Sequence, residues 1–124
     1  MEIQFTDREL DIMNVLWEHG PATAAQVRER LTDELAYNTV LTMLRILEEK
    51  GHVGHEEAGR AHVYHPLVPR EAASRSALQR LVTKLFRGKP ELLLTQLAED
   101  RDLDAETIKR MRRLLDDRLD EEAP

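Results

Sequence analysis

The sequence has 124 residues, enough for one domain or for one small domain with an oligomerisation appendage. It contains no cysteine, which excludes disulfides and thiolate metal sites and suits a reducing compartment, and its few aromatics imply an aliphatic core. The formal net charge of −6 argues against nucleic acid until its distribution is considered.

No apolar run approaches the length of a membrane span, and Met1-Glu-Ile-Gln4 has no signal-peptide character, so a cytoplasmic protein is expected. Residues 1–50 hold five basic side chains against ten acidic ones. Phosphate contacts act locally, however, and Asn38 to Ile46 contains no acid. Arg28 and Arg30 precede that stretch, and Lys50 and Arg60 follow it. A modest basic face on an acidic body is the expectation.

A first helix starts at Thr6, with Glu9 placed to complete a capping box. Leu10, Met13, Leu16 and Trp17 form its predicted apolar face, and Gly20-Pro21 ends it. A second, short helix repeats the device with Thr23 and Gln26, and turns Val27 and Leu31 inward. The turn Thr32-Asp33-Glu34 leads into a third helix within Leu35–Gly51. There Val40, Leu44 and Leu47, with Met43 beside them, recur at helical spacing and form a buried stripe. Asn38, Thr42 and Arg45, with Thr39 beside them, occupy another face. Their side chains are types that reach base edges in a major groove. Two short helices joined by a tight turn, the second with a polar N-terminal face, form a helix-turn-helix pattern.

His52–Glu56 and Ala61–His65 read as strands around the loop Glu57-Ala-Gly-Arg60, which makes the unit a winged helix with Arg60 at the wing tip. Four of the five histidines, His52, His55, His62 and His65, lie in this hairpin. If Glu56 opposes Ala61, His55 faces His62 and His52 faces His65, on opposite sides of the ribbon. Two separate pairs do not make a tetrahedral site, so no metal or other cofactor is expected.

Pro66-Leu-Val-Pro69 marks a boundary, with the winged helix over 1–68 and a helical segment over 69–124. A fourth helix from Arg70 to Arg87 carries Leu78, Leu81, Val82 and Leu85, and Gly88 closes it. A fifth begins at Lys89-Pro90 and carries Leu92, Leu93, Leu94 and Leu97. Asp104 caps a sixth, whose stripe is Ile108, Met111, Leu115 and Leu119, and the final Asp-Glu-Glu-Ala-Pro is expected to fray. So much leucine cannot be buried among three helices of a segment this small. The expected cover is the same segment of a second chain, with Leu78, Leu85, Leu97, Ile108, Met111 and Leu115 at the interface.

The segments Thr6–Trp17, Leu35–Leu44 and Gly59–Pro66, in that order, resemble the BlaI/MecI/CopY family of bacterial repressors over nearly the whole chain. The resemblance implies an N-terminal winged helix, a C-terminal helical dimerisation domain, and a homodimer that blocks transcription from a dyad operator on double-stranded DNA. It matches the helix from Tyr37 to the family's recognition helix, with Thr39 and Thr42 at its two DNA-face threonines, Asn38 where the staphylococcal repressors place a lysine, and Arg60 at the basic wing residue. Tyr37, Asn38 and Arg45 complete the expected DNA-contacting set. Ala36-Tyr37 stands where the family has Ser-Pro, so the third helix lacks a good N-cap. The resemblance also implies a membrane sensor protease system as an upstream partner. The matching cleavage bond is Thr95–Gln96, where the family's Asn-Phe pair is absent. The C-terminal cysteines of the copper-responsive branch are missing as well.

A dimeric DNA-binding repressor without catalytic activity is therefore the leading reading. A winged helix serving as a protein-interaction module is one alternative, favoured by the acidic charge. A metal- or pH-responsive regulator using the hairpin histidines is another. An enzyme is disfavoured, because no nucleophile with a base, paired catalytic carboxylates or phosphate-binding glycine loop is present.

Overall fold

The structure, a computed structural model, describes residues 3–123. The elements run α1 (Asp7–His19), β1 (Ala22–Thr23), α2 (Ala24–Arg30), α3 (Tyr37–Glu49), β2 (Val53–Ala58), β3 (Ala61–Pro66), α4 (Arg70–Leu85), α5 (Pro90–Glu99) and α6 (Ala105–Glu122). The chain divides into two compact units, Met1–Leu78 and Gln79–Pro124. The mainly helical class with a small antiparallel sheet is the one expected from the sequence.

Local chemistry starts the first two helices. Thr6 Oγ1 accepts from the Glu9 amide at 3.1 Å while Glu9 Oε1 accepts from the Thr6 amide at 2.8 Å. Thr23 and Gln26 exchange the same pair of bonds at 3.2 and 3.0 Å. Each box satisfies amides that the helix cannot satisfy itself, and losing such a cap costs about 1 kcal/mol. Gly20, at φ +82°, ends α1, and its amide donates to the Leu16 carbonyl at 2.9 Å.

The core of the first unit joins Ile12, Met13, Val15 and Leu16 of α1 to Val27 of α2, Val40, Leu44 and Leu47 of α3, and Val53 and Tyr64 of the hairpin. The α3 stripe is the expected one. On α1 the buried face is rotated from the expected one. Glu9 is buried among the apolar positions, Ile12 and Val15 join the core, and Leu10 and Trp17 are only half-buried. Trp17 packs at the core margin, with its Nε1–H donating to the Val68 carbonyl at 2.8 Å and its ring set edge-on to Phe5.

The sheet has three strands in the order β1-β3-β2. The two-residue strand β1 has too little sequence to show a period, and it pairs Ala22 with Tyr64 and Thr23 with Val63. The hairpin register differs from the expected one. Ala58, not Glu56, is in line for the turn and pairs with Ala61, so His55 opposes Tyr64, His62 opposes Glu57, and His65 opposes Gly54. The turn is therefore Gly59-Arg60 alone. Gly59 takes φ +66°, and among the described residues only Arg87 is a non-glycine at positive φ. A glycine first and an ordinary residue second is the two-residue pattern that matches strand twist, so it wins over a four-residue loop. Gly54 is needed for a different reason. A Cβ there would lie 3.0 Å from His65 Nε2, so only glycine admits the ring this close across the ladder.

In the second unit, the Gly88 amide reaches back to the Val82 carbonyl at 2.9 Å beyond the end of α4. Pro90 stands at the start of α5, where its missing amide is no loss. Asp104 caps α6 by accepting from the Thr107 amide at 2.8 Å. Hydrogen bonds from Thr107 hold the Asp104 carboxyl below its ordinary pKa. The final residues are the ones expected to fray. The helix continues through Glu122, and Pro124 lies outside the described residues. No residue of α5 or α6 is buried.

Candidate nucleic-acid interface

Helix α3 is held from behind by Val40, Leu44 and Leu47, each fully buried. Tyr37, Asn38, Thr39, Thr42 and Arg45 are all exposed on it. The buried and exposed sets alternate because the residues follow the helical period, so one burial decision fixes the direction of the other face. The start of α3 at Ala36 has no side-chain cap, in agreement with the sequence. Its first-turn amides are thus left without a side-chain acceptor, an arrangement suited to an anion.

The wing brings a further cation to this helix. Tyr37, Leu41 and Arg45 of α3 line one shallow depression together with Arg60 and His62 of the hairpin. Asn38, Thr39 and Thr42 are exposed on the helix outside that depression. Arg45 and Arg60 form no ion pair among the described residues, so both guanidinium groups remain available.

Two of the expected basic flankers have internal partners. Lys50 Nζ lies 2.9 and 3.2 Å from the two carboxylate oxygens of Glu9, which is only 4% exposed. Burial pushes the Glu9 carboxyl up, but hydrogen bonds from Thr6 and Lys50 outweigh it and leave the pKa below its ordinary value. The Arg28 side chain donates to the Leu35 carbonyl at 2.9 Å, bracing the turn before α3. Both partners are distant or main-chain groups, which periodicity and composition do not show. A third link lies at the far end of α3, where Glu48 Oε2 stands 2.5 Å from His55 Nδ1 on the wing. The recognition-type helix is therefore tied to α1, to its preceding turn and to the hairpin by side chains outside the apolar core.

Residues 5–117 match the family model described as Penicillinase repressor. This chain belongs to the penicillinase repressor family. Among curated relatives of this repressor, the penicillinase repressor of Bacillus licheniformis is 25% identical over 116 residues, covering 92% of this chain and 91% of that one. The methicillin resistance regulatory protein MecI of Staphylococcus aureus is 21% identical over 114 residues, covering 90% and 93%. The solution structure of the DNA-binding domain of the repressor BlaI is 32% identical, with a TM-score of 0.53 over 58% of this chain and 90% of that domain. A MarR family protein from Bacillus stearothermophilus shares the fold, with a TM-score of 0.51 and 17% identity over 96% of this chain and 76% of that one. The family is one of repressors and not of enzymes. No helix among the described residues is long and apolar enough to cross a membrane.

Proposed function

We propose that this repressor reads a DNA sequence through α3 and blocks transcription as a homodimer seated on a dyad operator. The observation that carries the reading is the exposed, acid-free face Asn38–Thr39–Thr42–Arg45, mounted on a buried stripe beside Arg60 of the wing, which has no ion-pair partner among the described residues. Asn and Thr supply short donors and acceptors for base edges, and the two arginines supply phosphate or groove contacts. Tyr37, at the uncapped start of the helix, offers its hydroxyl to a phosphate. The Bacillus licheniformis BlaI monomer has a solved complex with the blaP half-operator, at 32% identity to this chain.

Residues 69–124 are the proposed dimerisation segment of a protein that works in the cytoplasm. Leu78, Leu85, Leu97, Ile108 and Leu115 are exposed in the single chain, and Met111 is half-buried. A leucine-rich unit without a buried residue in its last two helices needs cover, and a second copy of the same helices supplies it symmetrically. Two recognition helices one DNA turn apart then double the contacts, which offsets the acidic body. Proteolytic inactivation by a membrane sensor system would act at Thr95–Gln96, two exposed residues of α5. The net charge of −6 favours a second reading, a winged helix that binds another protein.

Fluorescence anisotropy on DNA from upstream of the protein's own gene, at several salt concentrations and against random-sequence competitor, separates the two. Competitor-resistant binding with a steep salt slope is expected. Absence of binding at low salt to either DNA refutes the repressor reading and supports the second.

A further inference from the structure

We propose that the wing carries a binding site for a zinc-class divalent transition metal, built from His55, Glu57 and His62. The register places these residues on one face of the hairpin. His55 and Glu57 are two apart on β2, and Glu57 lies directly opposite His62 on β3. Side chains two apart on a strand share a face, and a cross-strand partner sits beside them, so three ligands converge from a rigid two-stranded frame.

The side chains already lie close. One ligand atom from each of the three can be chosen so that all lie within 4.8 Å of one another, the one such group among the described residues. His62 Nε2 and Glu57 Oε1 are 3.8 Å apart, and the His55 and His62 rings stack at 4.3 Å between centroids. Bonds of about 2.0–2.2 Å in a tetrahedral site put ligand atoms roughly 3.3 Å from each other. Closing from 4.8 Å thus needs a movement near 1.5 Å and an opening of the ring stack. The Glu57 side chain is 75% exposed and the His62 side chain 45% exposed, so both can make that movement without disturbing the core.

Glu48 supplies the second observation. Its carboxylate stands 2.5 Å from His55 Nδ1, and this contact orients the ring and leaves Nε2 as the nitrogen open to an ion. A carboxylate behind a histidine ligand fixes the tautomer and raises the basicity of the metal-bound nitrogen. Two imidazoles and one carboxylate suit zinc, cobalt, nickel or copper rather than the all-oxygen preference of magnesium and calcium. Three protein ligands leave the fourth position to water or an exchangeable group. The other two hairpin histidines take no part. His52 is buried against the Phe5 ring, and His65 lies against Gly54.

The test is a zinc titration of the untagged full-length protein against a chromophoric chelator, with circular dichroism melts to confirm that each variant folds. One zinc per chain is expected. His62→Ala and His55→Ala should each weaken binding at least 10-fold, Glu48→Gln should weaken it about 10-fold, and His65→Ala should leave it unchanged. Should His62→Ala fail to fold, Glu57→Gln at an exposed carboxylate takes its place, with the same expected loss. Cobalt substitution should give the strong visible absorption of a four-coordinate ion in the wild type and lose it in His62→Ala. Zinc binding as tight in the folded His62→Ala or Glu57→Gln variant as in the wild type overturns the proposal, as does failure of the wild type to compete with the chelator at all.

Discussion

Lys50 is better placed to hold α3 against α1 than to meet DNA, and its removal should cost more than removal of the charge it neutralises. Lys50→Met leaves the Glu9 carboxylate, 4% exposed, with its Thr6 bonds but without the ammonium 2.9 Å away. Breaking a fully buried pair in this way costs about 3–5 kcal/mol. Lys50 is itself 44% exposed, so water can partly replace it, and about 2 kcal/mol is the expected loss. Glu9→Gln keeps both capping bonds and returns Lys50 to water, so its cost should be about 1 kcal/mol. The double variant should cost little more than Glu9→Gln alone, because no buried charge then remains. Urea denaturation at one protein concentration and pH 7 measures all four proteins. A Lys50→Met cost within about 0.5 kcal/mol of zero, or one smaller than that of Glu9→Gln, refutes the assignment. Acid adds a second check. The Glu9 carboxyl is held below its ordinary 4.5 in the folded chain, so its contribution is present above that pH and lost as pH falls through the depressed value. The Glu9→Gln protein should lose less stability across the same interval.

Three further outcomes are expected. Arg60→Ala should weaken binding on operator and random DNA alike and flatten the slope of log affinity against log salt by about one unit, read by anisotropy. Thr42→Ala should relax discrimination at one base step, by about 1–3 kcal/mol, and leave the salt slope unchanged; an equal loss on operator and random DNA excludes base reading by Thr42. Leu115→Asp should convert a dimer to a monomer in sedimentation equilibrium, and an unchanged mass places the interface elsewhere.

Much of the first unit was legible because its determinants are local. The caps at Thr6 and Thr23, like that at Asp104 in the second unit, are decided within three residues, and the Val40–Leu44–Leu47 stripe by a repeating period. The polar face opposite that stripe followed from the same period. What escaped depends on distant partners or on turn geometry. Lys50 meets Glu9 across 41 positions, and nothing in either neighbourhood marks them as a pair. On α1 the buried face holds Glu9, Ile12 and Val15 beside Met13 and Leu16, while Leu10 is only half-buried. The hairpin register turned on whether Gly59-Arg60 or a longer loop reverses the chain. That choice moved His62 from opposite His55 to opposite Glu57 and brought both imidazoles to the same carboxylate. A signal was present in the glycine followed by an ordinary residue, the combination that favours a two-residue turn.

Trp17 gives the chain an optical property that follows from its position. It is the sole tryptophan, and both tyrosines, Tyr37 and Tyr64, also lie in the first unit. Its indole donates to the Val68 carbonyl and has the Arg70 guanidinium 5.5 Å above the ring. Unfolding of the first unit exposes that indole to water and shifts its emission. Far-ultraviolet circular dichroism, by contrast, sums helix from both units. Superimposed melts from the two signals would mean that the units come apart as one cooperative body. A dichroism change that precedes the emission change, and that moves to higher temperature as the chain is concentrated, would isolate the leucine-rich helices as a separately dissociating layer without any label.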